Sequence, residues 1–442
     1  MSTHKEQTLE PTPSLQTILA QYGELSLQKY AQQEYCGVVS NDEIFLWKKR
    51  EFLQLIQKYT EEKFGIEMAR IVTDSLEKNY CVSTGDHQGP MGHPFFFHSA
   101  ILRWLIRPQE AVINISTSHV SLGNSSYPRG IVFHGDTDKA WNEYLHLPFF
   151  SSGHRMSPLY GFPAYSSWNI YNYTIPKLLS YTKEGKISES QNEKILTFLE
   201  NIILSKTLLD LPTYSDQCTV LNFHWWKDIF QDFPPFVWID NEDFIRFLLL
   251  KHFDEKSDFV SMFFSPEMQG EIETSFDGIG CCFGRNEKRG TYLFWHLDKN
   301  HKRHALWRNW NMLVSNDGTF GVSLDPTALS IALTNNALIP SWLLSYGLLV
   351  CYYHLTSFGG IFQAEYLTQI QRKYYKLSTL SSHEKSYAKT DIINADLYFL
   401  FTRGGQALSA LDFTMGDIQW DIFKQARETS LEKAIKTCMS DF

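Results

Sequence analysis

The sequence predicts an α/β protein of 442 residues, built on a parallel sheet with helical segments at both ends. A short apolar run at 80–84 is followed by a glycine-rich loop, a helical pattern from Pro94 and a second buried run at 110–116. This strand–loop–helix–strand order is a βαβ unit, and such units build parallel sheets. Helical periodicity dominates before residue 79 and after residue 390, so we expect helices on either side of the core.

The N-terminal part, 1–70, combines a polar tail with helices. Residues 1–12 are polar and include Pro11, which is typical of an unordered terminus. Helical patterns follow at 14–33, 41–59 and 61–78. In the second pattern the apolar residues recur at spacings of three and four, which indicates one buried helix face: Ile44, Phe45, Trp47, Phe52, Leu53 and Ile56.

The core is predicted over 71–375. Pro94 begins the helix 94–106, because a fixed φ and a missing N–H suit the first helical turn. Other predicted core elements are strands at 130–134, 290–297 and 319–324, a loop-like aromatic insertion at 136–174, helices at 175–205, 326–337 and 341–355, mixed segments at 236–253 and 260–264, and a turn at 357–360. A C-terminal helical segment, 376–442, has patterns at 390–403 and 417–439.

Composition excludes some classes of function. The net charge of −9 argues against general nucleic-acid binding, which needs concentrated Lys and Arg. The most apolar run, 339–353, is interrupted by Pro340 and Gly347 and falls short of the ~20 residues of a membrane span. The start of the chain has no signal-peptide pattern, and seven cysteines without CxxC spacing are typical of reduced thiols. We expect a cytoplasmic protein with a small-molecule substrate and no membrane or nucleic-acid partner.

The loop after the first strand is a candidate anion site. It contains Gly85, Gly89 and Gly92 and ends at the start of the helix from Pro94. Backbone N–H groups and the helix dipole favour phosphate or carboxylate at such a turn. A second loop of small polar residues, 117–126, follows the next strand. Because ligands lie beyond the carboxyl ends of parallel strands, we expect the two loops to be neighbours.

Seven of the 15 histidines lie between positions 87 and 154. Histidine can donate to phosphate, act as a general acid or base, or bind a metal near neutral pH. The spacing contains no HxH or HExxH pattern and no Cys pair, which disfavours zinc. A metal-dependent hydrolase remains an alternative. The seven are His87, His93, His98, His119, His134, His146 and His154.

Two later stretches could also hold a ligand. The basic stretch 298–308 includes Arg303, which suits bidentate phosphate contacts, although an exposed solvated hairpin loop is the more usual explanation of a run of charges. Arg129 follows Pro128 and precedes a predicted strand. Farther on, Gly359 and Gly360 open a predicted helix whose first turns carry Gln363, Glu365 and Tyr366. This is another possible anion or substrate site, or simply a helix–helix turn.

The Gly92-His93 pair is similar to the second half of the HxGH pattern of class I nucleotidyl transferases. Together, the glycine-rich stretches resemble the putative cysteine ligase of bacillithiol biosynthesis. That family has a Thr-Gly-Gln-Gln-like strand end, then Gly-Pro-Leu-Tyr, and later Gly-Gly-Pro-Gly-Glu-Ile-Ala-Tyr. The matching stretches here are Thr84-Gly85-Asp86-His87, Gly92-His93-Pro94-Phe95 and residues 359–366. Where that family has a Glu-Asp-His-Asp-like segment, this chain retains only His119.

The resemblance implies a Rossmann-like core and an ATP- or nucleotide-dependent ligase or transferase, with Mg²⁺ as a possible companion of the nucleotide. The substrate would be small and amino-acid-like. A non-catalytic binding protein on a degenerate enzyme fold is the remaining alternative. Combined with the residue patterns, the predicted catalytic residues are His87, His93, Asp86 and His119; the nucleotide-binding residues are Thr84, Gly85, Gly89, Gly92, Arg129, Arg303, Gly359 and Gly360; and the substrate-binding residues are His98, Gln363, Glu365 and Tyr366.

Overall fold

The computed structural model describes residues 12–439 except 35, 108–109, 142, 232, 379, 381–386, 394–401, 404–405 and 417–419. The helices are α1 (Pro13–Tyr22), α2 (Leu27–Glu34), α3 (Glu43–Phe64), α4 (Ile66–Lys78), α5 (Pro94–Ile106), α6 (Ser167–Asn169), α7 (Ile175–Lys183), α8 (Glu189–Phe198), α9 (Lys206–Leu209), α10 (Tyr214–Ile229), α11 (Asn241–Glu255), α12 (Asp258–Phe264), α13 (Gln269–Phe276), α14 (Pro326–Thr334), α15 (Trp342–Tyr346), α16 (Gln363–Tyr374), α17 (Ala410–Met415), α18 (Trp420–Glu428) and α19 (Leu431–Met439). The π-helical segments Ile170–Thr174, Leu199–Ile203 and Gly347–Tyr352 extend α6, α8 and α15.

The strands form a four-stranded parallel sheet, a five-stranded antiparallel sheet and two antiparallel pairs. They are β1 (Cys81–Ser83), β2 (Val112–Ser116), β3 (Gly130–His134), β4 (Tyr144–Pro148), β5 (Phe236–Asp240), β6 (Phe294–Leu297), β7 (Arg303–Asn309), β8 (Met312–Ser315), β9 (Gly321–Ser323), β10 (Leu338–Pro340), β11 (Thr356–Phe358), β12 (Thr402–Arg403) and β13 (Gln406–Ala407).

The central sheet has four parallel strands in the order β11-β1-β2-β5. The chain therefore builds the sheet outward from β1 through β2 to β5, and then returns to place β11 on the opposite side of β1. The predicted α/β class and the predicted parallel sheet are confirmed. This reversal of strand order at β1 leaves a crevice between the carboxyl ends of β1 and β11.

Both faces of the sheet are covered. On one face Ile113, Ile115 and Val237 join a cluster with residues of α3 and α11. On the other face Val112 and Trp238 pack with aromatic residues of α5 and α10. Parallel strands buried on both sides have nearly continuous apolar sequences, which explains why 110–116 was recognisable as a buried strand.

Helix α5 connects β1 to β2 with the bounds that the sequence predicted. Pro94 occupies its first position, and Arg103 from its last turn is buried against the sheet. The Arg103 guanidinium donates to the carbonyl oxygens of Ile113 (2.8 Å) and Cys81 (3.2 Å). One cation thus ties the last turn of the helix to both strands.

Three sequence predictions about local structure were wrong. The predicted turn at 357–360 overlaps strand β11, which forms because the edge of β1 offers its backbone a buried hydrogen-bonding partner. The basic stretch contains strand β7 from Arg303, paired on both sides within a five-stranded antiparallel sheet of order β10-β6-β7-β8-β9. The loop-like insertion contains β4, which pairs with β3.

The terminal segments pack on the core and on each other. The predicted boundary between residues 70 and 71 falls inside α4, and α3 belongs to the main core cluster. Helices α1 and α2 cluster with α19 and with residues near α16. The predicted helix 390–403 lies partly outside the described residues, but Ile393 bridges to Gly359 and Thr402 is in a strand. Among the described residues, no helix is both long and apolar enough to cross a bilayer.

Candidate functional site

A small cleft opens at the carboxyl ends of β1 and β11, where the strand order reverses. Its volume is about 260 Å³. The loop after β1 forms one side, and the start of α16 forms the other. Gln363 joins these sides, because its carboxamide donates to the Thr84 hydroxyl at 2.7 Å. The residues lining the cleft are Thr84, Gly85, Asp86, His87, Thr117, Trp342, Gly360, Phe362, Gln363 and Tyr366.

Gly359 allows α16 to begin at this place. A Cβ at Gly359 would lie 1.9 Å from the carboxamide carbon of Gln363, so any side chain would displace Gln363 from the cleft. Among the described residues, no side chain caps the N-terminus of α16. An uncapped helix start favours an anionic group through its N–H groups and its dipole.

A buried carboxylate, Glu242, lies behind the cleft in the first turn of α11. It accepts hydrogen bonds from the His119 ring at Nδ1 (2.6 Å) and from the Thr117 hydroxyl (3.0 Å). It also accepts from the Ser118 N–H (2.5 Å) and the Ser118 hydroxyl (2.9 Å). Burial alone would raise the pKa of Glu242, but the His119 ring and these donors lower it. Glu242 is therefore an ionised carboxylate that orients His119.

The cleft is connected to this carboxylate through Trp342. The Trp342 indole N–H donates to the Thr117 hydroxyl at 2.6 Å, and Thr117 donates onward to Glu242. The His119 ring lies against Trp342, with centroids 5.3 Å apart, and is partly exposed. With Nδ1 bonded to Glu242, Nε2 is the ring nitrogen left for a substrate. A His–Glu pair of this kind can accept a proton from a hydroxyl, thiol or amine.

A second buried carboxylate, Asp240, ends β5 and caps α11. Its oxygens lie within hydrogen-bond distance of the hydroxyls of Ser118 (2.6 Å) and Ser215 (2.5 Å). Burial, and then the nearby Glu242 charge, raise the pKa of Asp240 to about 7. The pKa values of Asp240 and Glu242 are thus shifted in opposite directions, because Glu242 accepts more of the hydrogen bonds that stabilise an ionised carboxylate.

Asp243, the next acidic residue on α11, is paired rather than isolated. Lys63 lies 2.6 Å from it and 2.6 Å from Asp216, and Arg246 lies 2.8 Å away. Burial opposes ionisation, but these two cations lower the pKa of Asp243 to about 2. The group is therefore a structural ion network that anchors α3 and α10 to the start of α11.

The antiparallel sheet supplies an outer wall beside His119. Arg303 on β7 donates from Nη1 to the carbonyl oxygen of His119 at 2.6 Å. Its guanidinium also lies 4.2 Å from the ring centroid of Trp295. Burial lowers the pKa of Arg303 from its usual value. Arg303 therefore fixes the backbone of the 117–119 loop from outside the cleft.

His87 lines the cleft as an uncharged side chain. Its Nδ1 is 3.3 Å from the Ser126 hydroxyl, and its ring lies near Phe96. Burial, followed by the positive potential of His119, lowers the pKa of His87 to about 4. At neutral pH it can donate or accept one hydrogen bond, but it brings no charge to a phosphate.

The structure brings together seven of the predicted site residues at the cleft, and places His119 and Arg303 beside it. The seven are Thr84, Gly85, Asp86, His87, Gly360, Gln363 and Tyr366.

The other predicted residues do not line the cleft. The His93 ring packs on Tyr144 and Phe96, and burial followed by neighbouring histidines lowers its pKa to about 4. His98 is buried with Nε2 2.7 Å from a carbonyl oxygen. These two rings lie inside the α5 packing, because positions 93 and 98 face the core rather than the sheet edge.

The remaining predicted residues have other surroundings. Gly89 abuts Pro128, and Gly92 lies against the core near Trp225. The Arg129 guanidinium lies over the Tyr127 ring at 5.0 Å. Gly359 donates its N–H to Ile392, and Glu365 accepts from the Ser14 N–H at 3.0 Å. Glu365 therefore ties α1 to α16 on the side away from the cleft lining.

Sequence reasoning missed Asp240, Glu242 and Trp342. A usable signal existed for the two carboxylates, because the segment 236–243 is a buried apolar run followed by polar residues. The same rule had selected the loops after β1 and β2. The segment 236–253 contains strand β5 followed directly by helix α11, so its apolar pattern has no single period that marks the strand end. No local pattern marks Trp342, which reaches the site only through the packing of α15.

No group of three or more His, Cys, Asp or Glu side chains among the described residues is arranged to hold a metal ion. The histidines of the sequence cluster are spread over the cleft, the packing around α5, strand β3 and the insertion.

Comparison of the sequence with known protein families and with curated proteins finds no significant match.

Proposed function

We propose that this protein is a nucleotide-dependent ligase or transferase that acts on a small, amino-acid-like substrate in the cleft. The observation that carries the proposal is the His119–Glu242 pair beside a cleft at the reversal point of a parallel sheet. Such crevices are the usual ligand sites of open α/β sheets. A Rossmann-like description of the core, and the resemblance to the cysteine ligase family, belong to the same proposal.

The polar groups of the cleft suit an amino-acid-like molecule. Asp86, which is buried and accepts a hydrogen bond from Asn114, offers a carboxylate to an ammonium group. The uncapped start of α16 offers N–H groups to a carboxylate or phosphate. The rings of Trp342 and Tyr366, with centroids 5.9 Å apart, form an apolar wall between these ends. A volume of about 260 Å³ suits one small substrate or one nucleotide moiety.

The His119–Glu242 pair supplies the chemistry. His119 accepts a proton from the attacking amine, thiol or hydroxyl of the substrate, and Glu242 stabilises the imidazolium that forms. No Lys or Arg is among the described residues that line the cleft, so nucleotide phosphate would be held by the N–H groups of α16 and by one hydrogen bond from His87. Binding of this kind predicts modest nucleotide affinity.

Isothermal titration calorimetry with ATP, ADP and AMP, with and without Mg²⁺, tests the proposal. We expect binding of at least one nucleotide with a Kd below about 1 mM, that is, about −4 kcal/mol. Absence of heat for all three nucleotides up to several millimolar would reject the proposal.

A matched pair of variants on the first turn of α16 locates the site. Gln363→Glu adds a negative charge inside the cleft while keeping the shape of the side chain. We expect nucleotide affinity to fall by about tenfold or more because the charge opposes the helix dipole. Glu365→Gln changes charge on the same turn outside the cleft, and it should leave affinity within a factor of two to three. Equal effects of the two substitutions would place the nucleotide elsewhere.

A further inference from the structure

The two buried carboxylates behind the cleft share one serine hydroxyl. Ser118 Oγ lies 2.6 Å from Asp240 Oδ1 and 2.9 Å from Glu242 Oε2. Both distances are those of hydrogen bonds, yet a serine hydroxyl carries a single proton and can donate to only one of the two oxygens. Satisfying both contacts requires a second proton on one of the carboxyl groups.

The number of donors decides which carboxyl group carries that proton. Glu242 accepts from His119, Thr117, Asn241 and both the N–H and hydroxyl of Ser118. Apart from the Ser118 contact, the donors to the Asp240 side chain within the described part of the chain are the Ser215 hydroxyl and the N–H of Asp243. The carboxylate that accepts more hydrogen bonds keeps its charge, so the proton is on Asp240.

We infer that Asp240 holds a proton that it shares with Glu242 through Ser118, which makes Asp240 a positioning residue for the His119–Glu242 pair. In the ground arrangement the Asp240 hydroxyl donates to Ser118 Oγ, and Ser118 donates to Glu242. If Asp240 passes its proton to Ser118 while Ser118 passes its own to Glu242, one proton moves with no displacement of heavy atoms. The O–H bonds of Asp240 and Ser118 break, and new O–H bonds form on Ser118 and Glu242.

The consequence for the site is control of the charge on Glu242. While the proton is on Asp240, Glu242 is an anion and can stabilise a protonated His119. Once Asp240 is ionised, the Ser118 hydroxyl is drawn toward it and Glu242 loses a donor. The raised pKa of Asp240, about 7, places this change near neutral pH. The catalytic meaning of the switch rests on the proposed function, but the location of the proton does not.

Other titratable groups lie near Asp240: Glu242 and Asp243 on α11, Tyr59 on α3, Cys218 on α10 and Tyr160 in the insertion. Asp243 in turn contacts Lys63 and Arg246, and Arg303 interacts with Glu242. Lys63 is already shared between Asp216 and Asp243. These two carboxylates largely cancel the electrostatic effect of the Lys63 charge on Asp240.

Infrared difference spectroscopy tests where the proton resides. In the unmodified protein we expect a carbonyl stretch of a neutral carboxyl group below about pH 6, lost as the pH is raised through about 7. The band should be absent from Asp240→Asn, which keeps a good N-cap for α11. It should persist in Glu242→Gln. Loss of the band in Glu242→Gln and its retention in Asp240→Asn would overturn the inference.

A second readout tests the connection through Ser118. The ¹³C resonance of the His119 Cε1 atom should show an inflection at the pH where the infrared band disappears. Ser118→Ala should remove this inflection, whereas Ser215→Ala, which touches Asp240 but not Glu242, should retain it. Equal spectra for the two serine variants would overturn the shared-proton arrangement. Neither spectroscopic measurement uses a nucleotide. A protein that binds no nucleotide could therefore still show the shared proton, and a protein without the shared proton could still bind nucleotide.

Discussion

Because Asp240 is neutral in the folded protein below about pH 7 and ionised above it, replacing it by a neutral residue should stabilise the protein at alkaline pH. The pKa of Asp240 rises from 3.8 to about 7 on folding. An acid whose pKa is raised in the folded state binds a proton there that the unfolded chain has already released. Its contribution to the free energy of unfolding therefore falls as the pH rises from about 4 to about 7. At 1.36 kcal/mol per unit, a rise of about three units corresponds to about 4 kcal/mol.

Asp240→Asn should remove the charge while keeping a polar side chain of the same shape. With the amide oxygen in the position of Oδ1 it can still cap α11 and accept from Ser118, and the amide nitrogen can donate to Ser215, whose hydroxyl lies 2.5 Å from Asp240. We expect the free energy of unfolding of the variant to match that of the unmodified protein within about 1 kcal/mol at pH 4.5. At pH 8 the variant should be more stable by about 2–4 kcal/mol. Urea unfolding followed by tryptophan fluorescence at both pH values provides the measurement.

Asp243→Asn is the matched control, because the two residues lie on the same turn and their pKa values are shifted in opposite directions. The pKa of Asp243 is lowered to about 2 by Lys63 and Arg246. Its stabilising contribution is present above about pH 4 and is lost as the pH falls toward 2. We expect this variant to lose about 2–4 kcal/mol at pH 8. If Asp240→Asn were destabilising by the same amount at both pH values, the reasoning about Asp240 would be refuted.

Two further predictions concern Glu242, the carboxylate partner of His119, and the buried His93. Glu242→Gln should lower kcat for the proposed reaction by about 10²–10⁴ with little change in nucleotide affinity. Adding His119→Ala to this variant should lower kcat little further, because the two paired groups act as a unit. Additive losses of rate in single-turnover assays would argue against the pair. The pKa of His93 is lowered to about 4. The contribution of neutral His93 to the free energy of unfolding is therefore complete above about pH 6.5 and is lost as the pH falls. His93→Gln should therefore remove about 2 kcal/mol of the stability difference between pH 7.5 and pH 5, and an unchanged difference in urea unfolding would contradict this.

The elements with a strong local signal were predicted well. Pro94 and the apolar face after it gave the bounds of α5, and the run 110–116 contained β2. Both signals arise from a few adjacent residues whose burial pattern repeats at a fixed period. Strand β11 was missed, since Ser-Phe-Gly-Gly has the composition of a turn and becomes a strand only beside β1. Helix α10 was also missed, because it is buried nearly all round and lacks a clear polar face.

The candidate site divides in a similar way. Loops 85–92 and 117–126 were predicted to be neighbours because they follow adjacent parallel strands. They meet through hydrogen bonds from Gln88 N–H to the carbonyl oxygen of Thr117 and from Thr117 N–H to the carbonyl oxygen of Asp86. The pairing of Gln363 with Thr84 spans 279 residues and depends on where α16 is packed. His93 and His98 were predicted at the site from the density of histidines and, for His93, from the Gly92-His93 pattern; neither signal says in which direction a side chain points.

The sequence by itself determined that a parallel sheet would form and that its strand ends would carry glycine, small polar residues and histidine. These properties depend on apolar periodicity and on backbone preferences of neighbouring residues. Only the tertiary structure decided that β11 lies beside β1, and therefore where the cleft opens. It also decided that Glu242 holds His119 while Asp240 and Ser118 lie behind it. Distances between groups far apart in the chain depend on the packing of whole elements, and no local pattern encodes that packing.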